Sequence, residues 1–342
     1  MPEGGSMSDN GKPKFAMYWA AGCGGCEIAT LNIGAKILDV DAAFDVVFWP
    51  VAMDAKVKDV EALPDGAITL TLFDGGIRND ENEEMARLLR RKSKILVAFG
   101  SCACEGCIPG LANLGPARDI VATAFSTPTT DACGEFHIRA RFPAPEGELN
   151  VPELLPVLRT LEQVVPVDYY VPGCPPESDR IGEVVDAVIQ ALRGEAELPP
   201  PGSVLGAGTT TVCELCDRKR NETSIGAFRR IQDVKVDREL CLLEQGIACN
   251  GPATRSGCGA RCPKAGAPCI GCYGPADGVI DYGARLIAAY GSLIDGKTPE
   301  EIEKVLDSLP DPAGQFYRFN LAGSLLRAGR SAWTAQTIAK SA

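Results

Sequence analysis

Between Cys213 and Cys272 the chain concentrates eight of its fifteen cysteines in Gly- and Pro-rich loops. The stretch opens Cys213-Glu-Leu-Cys216-Asp-Arg-Lys-Arg, continues Cys241-Leu-Leu-Glu-Gln-Gly-Ile-Ala-Cys249, and closes Gly257-Cys258-Gly-Ala-Arg-Cys262-Pro263 and Pro268-Cys269-Ile-Gly-Cys272. Thiolates spaced two to four residues apart in such loops can converge on one inorganic core, because the turns supply curvature and the backbone amides donate hydrogen bonds to sulfur. Two sites' worth of four ligands are present. Disulfides are disfavoured in a chain without a secretory signal. Two four-cysteine sites would satisfy tetrahedral zinc as well as iron-sulfur chemistry, so spacing alone leaves both open, beside the plain reading of buried free thiols.

At 342 residues the length fits two domains, each able to bury a core. The formal charge of -11 argues against a general nucleic-acid binder, which needs a basic face to neutralise phosphates. No apolar run approaches the roughly 18 residues that span a bilayer. Residues 1–14 carry no apolar signal region and read as a disordered lead, and Arg90-Arg91 and Arg229-Arg230 lie too deep for a twin-arginine export signal. The expectation is a cytoplasmic protein, whose reducing surroundings favour metal ligation over disulfides.

Phe15 to Ala20 is a short apolar run that stops at Gly22-Cys23-Gly24-Gly25-Cys26-Glu27, after which Ile28, Leu31, Ile33, Ile37 and Leu38 recur at near-helical spacing. Further strands are expected at Val46–Trp49, Ala67–Phe73, Ile95–Phe99 and Val167–Val171, and helices at Asn79–Arg91 and Ile181–Leu192. This alternation indicates parallel βα units wound into one sheet, with sites in the loops at the carboxyl ends of the strands. Three such loops carry cysteine: Cys23 and Cys26, then Gly100-Ser101-Cys102-Ala-Cys104, then Pro172-Gly173-Cys174-Pro175. Four thiolates from these loops could hold a third metal core. Residues 124–153 read as a polar, Pro-rich segment that is either an ordered excursion or partner contact or a plain surface loop, 194–208 with Pro199-Pro200-Pro201 as the linker, and 276–293 and 299–309 as helices covering the cluster loops. The tail from Gln315 onward could be partly helical.

The order Cys-Gly-Gly-Cys, Gly-Ser-Cys-Ala, Pro-Gly-Cys-Pro-Pro resembles the small subunit of nickel-iron hydrogenases and its relative in respiratory complex I. The continuation, through Cys-Leu-Leu-Glu-Gln-Gly, Gly-Pro-Ala-Thr-Arg-x-Gly-Cys and Pro-Cys-Ile-Gly-Cys, resembles the hydrogenase branch, most of all the small (gamma) subunit of the cytoplasmic methyl-viologen-reducing enzymes that work with heterodisulfide reductase. The likeness runs from about Phe15 to Pro275. It implies a proximal cluster on Cys23, Cys26, Cys102 and Cys174, a medial one on Cys258, Cys262, Cys269 and Cys272, and a distal one on Cys213, Cys216, Cys241 and Cys249. Where exported relatives place a histidine at the distal cluster, this chain has Cys213, and Cys262 offers a fourth medial thiol where many have three. Three 4Fe-4S clusters are therefore expected, with the nickel-iron centre in a separate large subunit and a flavin- or iron-sulfur-bearing acceptor such as heterodisulfide reductase. The alternative is a homologous relay subunit of another oxidoreductase complex that lacks the nickel-iron centre; a zinc-stabilised interaction scaffold and a nucleotide-binding domain are further readings.

The fold class expected is α/β: a flavodoxin-like doubly wound parallel sheet domain (15–193), a linker (194–208), and a small, irregular, partly helical iron-sulfur domain (209–342). Cys104, Cys107 and Cys133 are left over. Cys104, two residues from Cys102, is the candidate alternative proximal ligand, with small buried or semi-exposed thiols as the plainer reading. His137 reads as a packed or surface residue. Arg218, Lys219 and Arg220 follow a ligand pair and either offset cluster charge, dock a partner or form a solvated face. Glu27 either orients its loop, joins a proton path at a subunit interface, or simply sits as an acid at a helix start.

Overall fold

The computed structural model describes residues 11–129 and 141–326. Cys133, His137 and most of the tail lie outside them. Six parallel strands form the main sheet: β1 (Lys14–Trp19), β2 (Asp45–Phe48), β3 (Ile68–Asp74), β4 (Ser93–Phe99), β5 (Tyr169–Val171) and β6 (Ser203–Val204), in the order β6-β5-β4-β3-β1-β2. This is the flavodoxin-like order extended by one edge strand. Its direction of winding reverses between β1 and β3, the switch point where such sheets open a crevice.

The central strands are mostly apolar because helices cover both faces. Alternate residues divide the core in two. Ala16, Tyr18, Phe73, Leu96 and Ala98 pack with Met85, Leu88 and Leu89 of the helix Asp80–Lys92. Phe15, Met17, Leu70, Leu72, Val97 and Phe99 pack with Val40, Ile181, Val188 and Ile189 of helices on the other side. The helix Asp80–Lys92 starts where Asn79 accepts the backbone N–H of Asn82 at 2.8 Å, and its acids at the first turn and Arg90, Arg91 and Lys92 at the last complement the helix dipole. Arg90 then ties it to the sheet through Asp168 at 2.6 Å.

Two regions depart from the sequence expectation. The stretch read as linker supplies β6, which adds to β5, so part of it belongs to the sheet. The helix expected after Cys26 is broken into Gly25–Leu31, a 3-10 turn at Gly34–Lys36 and Ile37–Ala43, and Ile28, Leu31 and Leu38 face outward. The polar excursion contains the end of the helix Ala117–Ser126 and a hairpin, Arg141–Ala144 with Gly147–Asn150.

From Val212 onward the elements are short, and side chains replace regular ladders as the organising contacts. Asn250 is the hub. Its Nδ2 donates to the carbonyls of Gln315 at 2.7 Å and Ile270 at 3.3 Å, and its Oδ1 accepts from Tyr290 Oη at 2.9 Å and from the Gln315 amide. It thereby joins the Cys249 and Cys269 loops to the helices Tyr282–Gly291 and Pro312–Tyr317. The chain then returns to the first domain, where the Phe319 carbonyl accepts from Cys107 N–H at 3.0 Å. Asn250→Ala would leave several buried polar groups unpaired at about 1–3 kcal/mol each. The expected outcome is a clearly lower apparent midpoint of thermal unfolding, read by circular dichroism.

Candidate metal centres

The carboxyl ends of β1, β3, β4 and β5 meet at one edge of the sheet. Two glycines allow the approach. A Cβ at Gly75, with φ +94°, would stand 2.7 Å from the backbone of Ala20, and one at Gly100, with φ +79°, would stand 2.3 Å from Cys26 Sγ. Cys26, Cys102 and Cys174 are thereby brought within electrostatic reach of one another. Burial first, then Asp74, Cys102 and Cys174, push the Cys26 thiol far up. Cys23 stands apart, exposed on the first loop with its Sγ beside Gly25.

Ser101 fastens these loops together. Its N–H donates to the Gly173 carbonyl at 2.8 Å and its Oγ accepts from Gly173 N–H at 3.1 Å, while the same hydroxyl donates to the Cys272 carbonyl at 2.6 Å. One side chain thus spans the loops of Cys102, Cys174 and Cys272. Tyr273 Oη, accepting from Glu177 N–H at 3.0 Å, and the ion pair of Arg261 with Glu177 at 2.6 Å close the same seam.

The second group lies across that seam. Cys272 is pushed up to about 12 by burial, then by Cys258, Cys174 and Cys262. Burial followed by Cys258 raises Cys262. The third group is Cys213, Cys216, Cys241 and Cys249: burial pushes Cys213 up to about 12, with the other three thiols adding to the shift and Arg220 opposing it. Cys269 stands between the groups, raised by burial, then by Cys249 and Cys272, and its N–H donates to Cys249 Sγ at 3.3 Å. A Cβ at Gly251 would stand 2.9 Å from Cys213 Sγ, so glycine keeps that sulfur clear.

A single tetrahedral zinc would draw four sulfurs to about 2.3 Å from one point. Among the described residues, no three His, Cys, Asp or Glu side chains converge in that way. Grouped cysteine thiols held by backbone-rich loops are a donor set that fits an iron-sulfur core as well as zinc.

The leftover cysteines behave differently from one another. Cys104 turns into the sheet core, its Sγ donating to the Ala98 carbonyl at 3.3 Å, away from the sheet-edge thiols. Cys107 instead packs against Cys102 and Cys174, its Sγ 3.5 Å from Cys174 Sγ. Hydrogen bonds to Cys102 and Cys174 and burial hold the Cys107 thiol protonated, and its donation to Cys174 lowers the latter's pKa. Cys104 is thus a small buried core thiol, the plainer of its two readings, and Cys107, which follows the left-handed Gly106, is the thiol that lies beside Cys102 and Cys174.

Glu27 is buried and accepts the Trp49 indole N–H at 3.1 Å, so it buttresses the first loop from within. Asp74 was not singled out from the sequence, although an acid ending an apolar strand before Gly-Gly is a visible signal. It is buried, its Oδ2 has no hydrogen-bond partner, and burial raises its pKa to about 7, with Glu27 adding and the Cys26 thiol opposing. Arg218 is buried, Lys219 pairs with Glu239 at 2.6 Å on the surface, and exposed Arg220 donates to the Cys213 carbonyl at 2.8 Å.

Residues 23–188 match the family model described as NADH ubiquinone oxidoreductase, 20 Kd subunit. Over its length the chain is 37% identical across 320 residues to an iron-sulfur subunit of the F420-non-reducing hydrogenase of Archaeoglobus profundus, covering 92% of this chain and 97% of that one. It is likewise 37% identical across 325 residues to a subunit of the F420-non-reducing hydrogenase of Methanothermobacter marburgensis, covering 92% and 96%. The chain belongs to this family of hydrogenase small subunits. Among solved structures, an NAD+-reducing NiFe-hydrogenase chain aligns at 28% identity over 55% of this chain and 96% of its own, with a TM-score of 0.46.

Two outcomes follow. Ser101→Ala removes the hydroxyl between the loops and should cost about 1–3 kcal/mol of stability, measured by denaturant unfolding. Asp74, with its raised pKa, loses stability for the fold as pH rises from about 4 through about 7. Asp74→Asn should therefore raise the apparent melting temperature at pH 8 and leave it nearly unchanged at pH 4.

Proposed function

We propose that this hydrogenase small subunit relays electrons, one at a time, between a nickel-iron centre in a partner large subunit and an acceptor carrying flavin or iron-sulfur, such as heterodisulfide reductase. Three 4Fe-4S clusters form the path: proximal on Cys23, Cys26, Cys102 and Cys174, medial on Cys258, Cys262, Cys269 and Cys272, and distal on Cys213, Cys216, Cys241 and Cys249. When bound, such clusters supply reversible one-electron storage. The observation that carries the reading is the succession of three thiol groups, with Ser101 joining the first to the second across the seam and Cys269 lying between the second and third.

The chain's own residues fix spacing, exclude water and set charge. Ser101 and Asn250 hold the ligand loops in register through bonds from side chain to carbonyl. Cys269 N–H donates to Cys249 Sγ, a contact that favours the thiolate form and tunes a bound core. Phe319 seals the space between Cys102, Cys107, Cys174 and Cys272. Outside the first loop, Ile28 and Leu38 are 61% and 66% exposed, an apolar face suited to burial against the large subunit. No helix among the described residues is long and apolar enough to cross a membrane.

Co-purification with the native partners, followed by iron, nickel and flavin analysis, tests the relay. We expect a brown complex with about twelve irons per copy of this chain, beyond those of its partners, and nickel in the large subunit. Cys262→Ala should remove one of those irons by turning the medial cluster into a three-iron form with its own electron paramagnetic resonance signal. Absence of nickel and of hydrogen-dependent dye reduction would transfer the chain to a relay in another oxidoreductase. Zinc in place of iron would overturn both.

A further inference from the structure

Arg218 is 8% exposed, and its guanidinium is held by backbone carbonyls: Nε donates to Pro263 at 2.9 Å, and Nη1 donates to Leu240 at 2.8 Å and Asp237 at 2.9 Å. Pro263 follows Cys262 directly, Leu240 precedes Cys241, and Arg218 itself lies two residues past Cys216. The cation therefore stands where the loops of the medial and distal thiols meet. Among the described residues no carboxylate forms an ion pair with it. Asp237 feels its charge, but that carboxylate is fully exposed, and its Oδ1 accepts from the backbone N–H groups of Glu239 and Leu240.

A buried guanidinium cannot shed its proton, and burying it without a counter-charge is costly. Carbonyl dipoles solvate it without neutralising it. Neutral, protonated thiols nearby supply no compensation, whereas a tetrathiolate-bound iron-sulfur core carries net negative charge. We propose that Arg218 is the built-in counter-charge shared by the medial and distal clusters, and that it holds their reduction potentials up. This rests on the cluster assignment above. Each cluster that takes one electron from its neighbour gains one negative charge, and no proton need move. A fixed cation beside it stabilises the reduced form more than the oxidised one, so the potential rises. Lys219 is paired with Glu239 on the surface, and Arg220, whose charge reaches Cys213, is exposed and partly screened by solvent, so the buried charge is Arg218's.

The test uses the complete complex and compares the parent with Arg218→Gln, which removes the charge while keeping a donor, and Arg218→Lys, which keeps the charge while losing the fork. Iron per chain is measured first, and midpoint potentials then follow by redox titration under electron paramagnetic resonance. The expected result is full iron in all three, a shift of the medial or distal signal to more negative potential in Arg218→Gln, and potentials close to the parent in Arg218→Lys. The proximal signal, set in the other domain, should stay put. Loss of iron from Arg218→Gln alone also supports a charge requirement. Unmoved potentials in an iron-replete Arg218→Gln overturn the proposal, as does equal loss of iron from both variants, which would make Arg218 a clamp only. A parent chain without iron fails at the first measurement and sinks the cluster assignment as well, which separates the two failures.

Discussion

Thiols crowded at a buried seam cannot all ionise. Burial alone raises Cys26, Cys213, Cys249, Cys269 and Cys272, and each neighbouring thiol raises them further. A conventional apolar core avoids such clusters, because sulfur-rich loops offer little hydrophobic area for the backbone they order. On the proposed assignment, positively charged inorganic cores would draw the thiolates in and make the arrangement favourable, coupling their binding to folding. Everything else in the chain can be understood as support for that requirement.

The two domains meet it by different means. The first uses a regular sheet with helices on both faces, whose strand ends carry the cysteine-bearing loops on a rigid edge. The second has few ladders. Its loops are fixed by single polar side chains reaching several backbone groups: Asn250 among Ile270, Gln315 and Tyr290, and Arg218 among Pro263, Asp237 and Leu240. Side chains of this kind cost little chain length and tolerate irregular backbone, which suits loops bent around a metal core. Ser101 does the same across the seam.

Much of the first domain was legible because local patterns determine it. The short apolar runs at Phe15–Ala20 and Ala67–Phe73 and the helical spacing of Ile181, Val184, Val185, Val188 and Ile189 agree with their burial. The motif cysteines at the strand ends were legible for the same reason, since topology carries those ends to one edge. What stayed hidden depends on contacts between residues far apart in the chain. Ser101 meets Cys272 across 171 residues, and Arg218 meets Pro263 across 45. The three basic residues after Cys216 look alike in sequence and separate only when their burial is known. Cys104 and Cys107 likewise separate only in the structure, where the left-handed turn at Gly106 puts Cys107 and not Cys104 beside Cys102 and Cys174. β6 was missed for a different reason, as two residues after a triple proline give no periodicity to read.

The central claim is that twelve sulfurs hold three multi-iron cores in line. Anomalous diffraction at the iron edge from crystals of the native complex addresses it directly. The account predicts three separate iron peaks within this chain, one at the sheet edge over Cys26, Cys102 and Cys174, the next across the seam beside Cys258 and Cys272, and the last beside Cys213 and Cys249. Fewer than three iron peaks, or a zinc-edge signal at any of those positions, would contradict it.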